Sequence, residues 1–444
     1  MTSASSPYRW RSVKAEMQRR PWLRACLWLA FLGPFFFLTY GFANQMAAQQ
    51  DALGKVGNIA FAWERHIPLW PWSIVPYWSI DLLYAISPFL CRSRTELDRH
   101  GLRLFTAQLI AVTCFLLWPL AFGFTRPAVE GVFGQMFSAL ESFDKPYNQA
   151  PSLHIVLLVV LWVKYAQYLH GFWRLWLHIW FALIGISVLT TWQHHFLDLP
   201  AGLAVGWLCV WLWPDAPLTS PLRPDASINR SRWRLTLLYA LGAALFYALA
   251  WQGGLWLCLA WPALSLAVVA CNYAWSGAAG FQKQANGQLS IAARWLLAPY
   301  LAAAWLNSRL WTRHRPQPVA LGDGLWLGRI PGRGERQNFA QVLDCCAELP
   351  RVDARHGDAQ QLMLDLLPPG KAQLIAAAAA LDKQLRQGPV LLCCALGYSR
   401  SACVALAWRI RYRGASVAEA LQWLQQHKPE CVIKPAHRNV LERL

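Results

Sequence analysis

A cysteine and an arginine separated by five residues form the clearest chemical pattern in this sequence. The segment GPVLLCCALGYSRSACVALAWRIRYRG predicts a buried strand, a short loop from Cys394 to Arg400, and then a helix. A loop that enters a helix N-terminus presents backbone N–H groups and the positive end of the helix dipole, which together favour a phosphate dianion. The same field lowers a thiol pKa below its free value of about 8.5, so we expect Cys394 to be a thiolate nucleophile.

The other positions of the loop also suit phosphoryl transfer. Gly397 lets the backbone curl around an anion without a Cβ in the way. Arg400 supplies a planar fork that can bind two phosphoryl oxygens, and the hydroxyl of Ser401 is placed to stabilise the sulfur when it leaves. The backbone expected to bind phosphate is that of Ala395, Leu396, Gly397, Tyr398 and Ser399.

Cleavage of a phosphate ester also needs a general acid for the departing oxygen. Asp365, in LMLDLLPP at the end of the preceding predicted strand, is expected at the same sheet edge as Cys394 and is the first choice. Asp353 and Asp358 are the alternatives. The competing interpretation of the whole pattern is structural, with an inert buried cysteine and a surface arginine.

The cysteine segment strongly resembles the protein tyrosine and dual-specificity phosphatases. GLWLGRIPG and VLDCCAELPR are similar to the first strands of that family, so the resemblance covers about residues 320–444. It implies an α/β domain that hydrolyses phosphomonoesters through a phosphocysteine. Cys393 stands where the family usually has His, which predicts a less well tuned thiolate or protection of Cys394 by a neighbouring thiol during oxidation. Phosphotyrosine, phosphoserine or phosphothreonine, and lipid headgroup phosphates all remain possible substrates.

Two histidine segments stand at predicted ends of apolar spans. KPYNQAPSLHIV holds Ser152 and His154, and TTWQHHFLDLPAG holds His194, His195 and Asp198. Polar residues at the boundary of an apolar bundle are functional candidates. The spacing of His194 and Asp198 lets the carboxylate reach the imidazole across one helical turn and fix its tautomer. We interpret His195 alone as an interfacial hydrogen-bonding residue.

These segments resemble the type-2 phosphatidic acid phosphatase superfamily over about residues 60–215, especially the PSLH branch that includes inositol phosphorylceramide synthase. The resemblance implies that His194 is the nucleophile, Asp198 its orienting partner and His154 the general acid. It also implies that Ser152 and Arg126, the latter in FTRP, hold phosphate. Pro119 and Val188 stand where many members carry cations, which leaves a degenerate site as the other interpretation.

The composition places part of the chain in a bilayer. Of its 444 residues 56% are hydrophobic, 27 are Trp, and the apolar residues fall in long runs before residue 276. The net charge of +18 would suit nucleic acid, but the basic residues lie in short segments between the apolar runs, so we expect no nucleic acid partner. They cluster before the first predicted span and after the second, fourth and sixth, which predicts that the N-terminus and the C-terminal domain are cytoplasmic and that the histidine site faces outside.

The expected fold is a polytopic α-helical membrane bundle of about eight spans followed by an α/β dual-specificity phosphatase domain. The predicted spans are 22–43, 68–90, 102–123, 153–170, 174–191, 198–214, 234–251 and 254–275. The small and polar segment 276–290 indicates a linker, and 291–311 indicates an interfacial helix. A ninth span at that helix, which would put the C-terminal domain outside, is the alternative. Predicted strands in the C-terminal domain are 325–327, 342–343, 363–366 and 389–393, and predicted helices are 372–385, 401–413 and 417–427.

The domains expected from these patterns are a type-2 phosphatidic acid phosphatase-like membrane domain (1–232), two additional spans (233–275), a linker with the interfacial helix (276–316) and the phosphatase domain (317–444). We therefore predict a phosphatase in a bacterial-type inner or plasma membrane with two sites. The histidine site would act on a lipid phosphate or pyrophosphate, and the Cys394 site on a phosphoprotein or a lipid headgroup. Neither reaction needs a metal or other cofactor. The alternatives are a lipid headgroup phosphotransferase and a non-catalytic phosphate sensor.

Overall fold

A computed structural model describes residues 20–225, 230–335, 339–352, 354–355 and 357–444. The chain forms two compact units that divide between Pro217 and Leu218. The predicted cytoplasmic cluster before residue 20 and the alternative acid Asp353 lie outside the described residues.

The described residues of the first unit form seven α-helices joined by short turns and loops. The helices are α1 (Trp22–Asp51), α2 (Ile74–Ile86), α3 (Arg94–Leu117), α4 (Gly131–Phe143), α5 (Leu153–Ala166), α6 (Gly171–Thr190) and α7 (Asp198–Leu212). Helix α4 was not predicted, since a search for long apolar runs passes over a short amphipathic helix. Its apolar residues Phe133, Phe137 and Leu140 do recur at helical spacing.

Five helical segments of the described chain are long and apolar enough to cross a membrane. They are Trp22–Asp51, Arg94–Leu117, Gly171–Thr190, Arg232–Ala250 and Gly254–Phe281. Helices α5 and α7 are apolar but shorter. The predicted span 68–90 contains α2, which has 13 residues between two 3₁₀ turns. The total of eight spans therefore stays a prediction.

Helices α5 and α7 pack closely because two glycines on α7 face α5. A Cβ at Gly202 would lie 2.8 Å from the Cβ of Ile155, and one at Gly206 would lie 2.7 Å from the Cβ of Val159. Small residues four positions apart let two helix backbones approach in this way. The approach aligns the N-termini of both helices, where the predicted histidine site lies.

The second unit begins with four helices: α8 (Arg230–Ala250), α9 (Ala260–Cys271), α10 (Ile291–Leu296) and α11 (Ala298–Trp311). The predicted interfacial helix 291–311 is thus divided at Leu297 into α10 and α11. Helix α11 begins at the next residue and has Pro299 in its first turn, where proline is tolerated. The 14 residues of α11 are about 21 Å long, well short of the roughly 30 Å of a bilayer core.

The segment 276–290, predicted to be a linker, is packed into the second unit. Gly280, Phe281 and Lys283 in this segment are buried. A Cβ at Gly280 would lie 1.9 Å from Oδ1 of Asn272, so the small residues serve close packing as well as turning. The fully buried Nζ of Lys283 lies 2.6 Å from Oδ2 of Asp344 and donates to the carbonyl of Cys346 at 2.6 Å. This segment is therefore packed against the strand that carries Asp344 and Cys346.

The C-terminal part is a five-stranded sheet flanked by helices. Its elements are β1 (Val319–Gly322), β2 (Leu325–Arg329), β3 (Gln341–Cys346), β4 (Ala359–Met363), α12 (Lys371–Leu385), β5 (Val390–Cys394), α13 (Arg400–Arg413), α14 (Val417–His427) and α15 (Pro435–Leu441). The strand order is β1-β2-β5-β3-β4, with only β1 antiparallel to its neighbour. The predicted strand 363–366 starts where β4 ends and runs into a loop, and β1 and α15 were not predicted.

The parallel strands carry their carboxyl ends to one edge of the sheet. Cys394 ends β5, Glu348 follows the adjacent β3, and Asp365 follows β4. The edge therefore gathers a thiol and two carboxyl groups from three different stretches of sequence.

Candidate active sites

Cys394 lies at the end of β5 with two hydrogen-bond donors on its sulfur. The side chain is only 3% exposed. The N–H of Gly397 donates to Sγ at 3.2 Å, and the hydroxyl of Ser401 donates to the same atom at 3.2 Å. Donors aimed at a sulfur can stabilise the negative charge that it carries when it departs as a leaving group.

Gly397 is required by both conformation and space. Its φ is +78°, a left-handed conformation that residues with a Cβ adopt at a cost. A Cβ at this position would lie 2.4 Å from the carbonyl carbon and oxygen of Gly328 at the end of β2. The loop can therefore curl over the sheet edge only with glycine here.

Arg400 is buried and held by fixed acceptors. Nη1 donates to Oε2 of Glu348 at 2.8 Å and to the carbonyl of Met363 at 2.9 Å, and Nη2 donates to Oε1 of Glu348 at 2.6 Å. Burial opposes the charge of Arg400, but the carboxyl groups of Asp365 and Glu348 outweigh it and raise the pKa of Arg400 well above its usual value. The alternative of a surface arginine is therefore wrong, since this side chain is 1% exposed.

Asp365 contacts the same guanidinium from the loop after β4. Its Oδ1 lies 3.1 Å from Nη2 of Arg400, and about a third of its side chain is exposed. Burial raises the pKa of Asp365, while the charge of Arg400 opposes that rise. A carboxyl group with a raised pKa keeps its proton to higher pH, which suits a general acid.

The loop between the sulfur and α13 has unused backbone donors. Within the described residues, the N–H groups of Leu396, Tyr398 and Ser399 have no hydrogen-bond partner. The carbonyl of Ala395 accepts from the hydroxyl of Ser308 on α11 at 2.6 Å. Loop residues predicted to bind phosphate therefore combine free N–H groups with an anchored carbonyl.

Asp358, the described alternative to Asp365, is not at the site. Its carboxylate accepts from the N–H of Val342 at 2.9 Å and pairs with Nη1 of Arg351 at 2.9 Å. Cys393 packs with Val342 and Leu391 on the opposite side of β5 from the core cluster that holds Cys394. Alternation along a strand causes this separation, so Cys393 does not share the space around Cys394.

Glu348 belongs to the cysteine site but was not predicted. It is 2% exposed, and although burial acts to raise the pKa of its carboxyl, its contacts with Arg400 lower that pKa. A signal was present in the sequence, because an acid directly after a central parallel strand must lie at the same edge as Cys394.

In the first unit, the turn between α6 and α7 holds the predicted histidine nucleophile. Nδ1 of His194 lies 3.2 Å from Oδ2 of Asp198, the first residue of α7. In the described part of the chain, Nε2 of His194 has no hydrogen-bond partner. The carboxylate thus favours the proton on Nδ1 and leaves the lone pair on Nε2, the nitrogen that the predicted nucleophile would use.

The neighbouring His195 is engaged at both ring nitrogens. The N–H of Gly123 donates to Nε2 at 2.8 Å, so Nδ1 carries the proton and donates to Oε2 of Glu64 at 2.8 Å. His195 is completely buried, and Glu64 is only 3% exposed. The predicted hydrogen-bonding role of His195 is therefore seen at both ring nitrogens, and its place at the membrane interface stays a prediction.

His154 and Ser152 lie at the start of α5 with local partners. Nε2 of His154 donates to the carbonyl of Tyr77 at 2.9 Å, and its ring stacks on that of Tyr77. The Ser152 hydroxyl caps α5 by accepting from the N–H of Ile155, and the Ser152 N–H donates to the carbonyl of Asp198 at 3.2 Å. Nε2 of His154, the predicted general acid, and the N–H of Ser152, a predicted phosphate ligand, are therefore both bonded within the protein.

Arg126 lies beside the histidine segment. With the Gln193 amide oriented so that its oxygen faces the guanidinium, that oxygen accepts from Nη1 and Nη2 of Arg126 at 3.0 and 3.1 Å. Asp144 is an unpredicted member of the same cluster. Burial raises the pKa of Asp144, and a hydrogen bond from Tyr40 and the charges of His194 and Arg126 oppose that rise.

Among the described residues, no group of three or more His, Cys, Asp or Glu side chains could hold a metal ion.

Comparison with known proteins identifies both domains. A family model for the PAP2 superfamily matches residues 100–220, and one for the dual specificity phosphatase catalytic domain matches residues 338–443. No curated protein matches the chain. The motif-based resemblances are thereby confirmed, although the PSLH branch stays a prediction.

Solved structures match the C-terminal part of the chain. Human DUSP28 is 26% identical over 29% of this chain and 92% of its own, with a TM-score of 0.27. PTPMT1 in complex with PI(5)P is 19% identical over 28% of this chain and 92% of its own, with a TM-score of 0.25. Tk-PTP in the active form is 21% identical over 29% of this chain and 97% of its own, with a TM-score of 0.25.

The apolar helices and the PAP2 match together indicate a membrane protein. The protein joins a PAP2 superfamily domain to a dual specificity phosphatase catalytic domain and is, by these domains, a phosphoric monoester hydrolase.

Proposed function

We propose that the C-terminal domain hydrolyses phosphomonoesters through a phosphocysteine on Cys394. The observation that carries this proposal is the convergence of the Gly397 N–H and the Ser401 hydroxyl on the Cys394 sulfur. A second support is Arg400, which is buried and oriented by Glu348 at the same sheet edge.

In the first step the Cys394 thiolate attacks phosphorus and the bond from phosphorus to the ester oxygen breaks. The free N–H groups of the loop and Arg400 stabilise the charge on the phosphoryl oxygens. Protonated Asp365 gives its proton to the departing oxygen, so the alcohol or phenol leaves neutral.

In the second step a water molecule attacks the phosphocysteine and the bond from sulfur to phosphorus breaks. Asp365, now ionised, accepts a proton from the water. The Ser401 hydroxyl, 3.2 Å from the sulfur, donates to the leaving thiolate and stabilises it. Inorganic phosphate departs and the enzyme returns to its starting state.

The test is hydrolysis of an aryl phosphate by the full-length protein in detergent. The Cys394→Ser variant is expected to lose turnover completely, while Cys393→Ser retains it because that thiol faces another cluster. Equal turnover by the wild type and Cys394→Ser would refute the proposal. Absence of turnover in the wild type would favour the phosphate sensor.

A second site is proposed in the membrane domain, where His194 forms a phosphohistidine with a lipid phosphate or pyrophosphate. The pairing of His194 with Asp198 and the unused Nε2 favour His194 over His195. Arg126 supplies the positive charge, and His154 protonates the leaving oxygen after it releases the carbonyl of Tyr77.

Hydrolysis and headgroup transfer share this phosphohistidine and differ in whether water or an alcohol receives the phosphoryl-containing group. Assays of phosphate release and of headgroup transfer by the same purified Cys394→Ser protein distinguish them. If Asp198→Asn retains every lipid activity, the proposed membrane site is wrong. We also propose that the C-terminal domain faces the cytoplasm of a bacterial-type inner membrane, because basic residues cluster in alternate connections between the predicted spans.

A further inference from the structure

The loop that follows β4 is bonded to a helical segment apolar enough to span a membrane. Tyr273 belongs to the segment Gly254–Phe281 and is 1% exposed. Its hydroxyl donates to the backbone carbonyl of Asp365 at 3.1 Å. The proposed general acid is therefore anchored, through its own backbone, to a residue of a candidate membrane span.

The phosphate loop is bonded to a second helix of the same unit. Ser308 on α11 is completely buried and donates to the carbonyl of Ala395, the residue after Cys394. The opposite side of α11 is apolar and open: Leu306 and Leu310 are each 52% exposed. Since a helix with its side chains is about 10 Å across, this apolar surface lies only about one helix diameter from the phosphate loop.

The surroundings of the loop suit the surface of an anionic bilayer. Leu366, next to Asp365, is 58% exposed, and Trp311, whose carbonyl accepts from the hydroxyl of Tyr398, is 68% exposed. Arg313 and Arg315 follow directly after α11 and are exposed. Exposed apolar and aromatic residues beside basic ones are typical of segments that lie in a membrane interface.

From these contacts we propose that the Cys394 site takes its phosphomonoester from a membrane lipid, with the phosphate at the headgroup end of a molecule that stays in the bilayer. The inference rests on the proposed phosphatase function of Cys394. The contacts of Tyr273 and Ser308 hold the catalytic loops against a candidate span and a predicted interfacial helix, so the site meets a headgroup without extraction of the lipid. Leu366 contacts the apolar part of the substrate next to the phosphate.

The test uses the full-length His194→Asn variant, in which the membrane site is inactivated, reconstituted in phosphatidylcholine vesicles that contain phosphatidic acid. We expect phosphate release from phosphatidic acid, and its loss when Cys394→Ser is added. The ratio kcat/KM for phosphatidic acid should exceed that for glycerol 3-phosphate and for a phosphotyrosine peptide by at least about tenfold, because the bilayer holds lipid and enzyme at a high effective concentration.

The contribution of Leu366 is tested by Leu366→Asn. The φ of Leu366 is +60°, a conformation that Asn tolerates, so this change removes the apolar surface without adding backbone strain. It should lower the ratio of kcat/KM for phosphatidic acid to kcat/KM for glycerol 3-phosphate by about tenfold, because only the lipid has an apolar part for Leu366 to contact. The matched control is Tyr412→Asn, since Tyr412 is exposed near the far end of α13, about 18 Å along the helix from Arg400. This variant should retain both activities.

Two results overturn the inference in different ways. If aryl phosphate turnover depends on Cys394 but the peptide or glycerol 3-phosphate is used as well as the vesicle lipid, the lipid assignment fails and the proposed function stands. If neither aryl phosphate nor lipid turnover depends on Cys394, both fail.

Discussion

Replacement of Glu348 by Gln tests whether a buried carboxylate sets the position of the catalytic arginine. The carboxylate binds both terminal nitrogens of Arg400, at 2.6 and 2.8 Å, and both side chains are nearly completely buried. Gln has the same shape, but it lacks the charge and can accept at only one of the two positions. Arg400 would then have an incompletely compensated charge in the interior.

We expect Glu348→Gln to lower both the stability and the catalytic efficiency. Removal of one partner from a buried ion pair costs about 3–5 kcal/mol, and we expect the lower end because Gln retains one acceptor. In a unit of this size, about 3 kcal/mol corresponds to a fall in Tm of roughly 6–12 °C. A charge-assisted hydrogen bond contributes about 1.5–3 kcal/mol, so loss of one bond that orients Arg400 should lower kcat/KM by about 10- to 100-fold.

The assay measures Tm and the kcat/KM for an aryl phosphate in the full-length protein. The matched control is Glu335→Gln, because Glu335 also pairs with an arginine, Arg329, at 2.6 Å but is 41% exposed. Water screens the exposed Glu335 carboxylate, although Arg329 is only 11% exposed, so the pair should contribute about 0–1 kcal/mol and this variant should be close to the wild type in both measurements.

A Glu348→Gln variant with kcat/KM within about twofold of the wild type would show that Glu348 does not orient Arg400 for catalysis. A fall in Tm no larger than that of Glu335→Gln would contradict the expected loss of stability. Loss of stability without loss of activity would mean that Glu348 supports the fold but does not orient Arg400.

Three further predictions concern the acid, the loop and the membrane site. Asp365→Asn should slow hydrolysis of alkyl phosphates by about 10²–10⁴. Because burial raises the pKa of Asp365 and the acid acts in its protonated form, wild-type kcat/KM should fall as pH rises through that pKa, whereas the variant should lack this fall. Gly397→Ala should abolish aryl phosphate turnover and lower the Tm, since its Cβ would meet the Gly328 carbonyl; a variant with normal activity would contradict the described loop. In the membrane domain, His194→Asn should lose all turnover of vesicle phosphatidic acid in a Cys394→Ser background, whereas His195→Asn should mainly lower the Tm by leaving Glu64 buried without its partner. Loss of lipid turnover only in the His195 variant would mean that His195, and not His194, is the nucleophile.

Local patterns were sufficient to predict the strand, loop and helix around Cys394. The apolar run before the loop and the helical pattern after it are both local, and they correspond to β5 and α13. The packed state of 276–290 could not be predicted in this way, because small and polar residues indicate a turn unless the partner surface is known. Here the partners are the side chain of Asn272 and the Asp344 carboxylate, which accepts from Lys283.

The members of each site were predictable to different degrees. Asp365 follows from strand order, since the ends of parallel strands meet at one edge, and the structure does bring it to Arg400. The same rule places Glu348 at this edge, but its contact with Arg400, 52 positions away, has no local signal in the sequence. The different environments of His194 and His195 depend on Glu64 and Gly123, which come from distant segments and have no local signal.

The proposed phosphocysteine mechanism is tested directly by trapping the covalent intermediate. In Ser401→Ala the sulfur loses the donor that helps it leave, so phosphoenzyme should accumulate after rapid mixing of the full-length protein with an aryl phosphate and an acid quench. Mass spectrometry of the peptides should then show one added phosphoryl group on Cys394. Turnover without any phosphorylated Cys394, or with the phosphoryl group on a different residue, would contradict the proposed phosphocysteine mechanism.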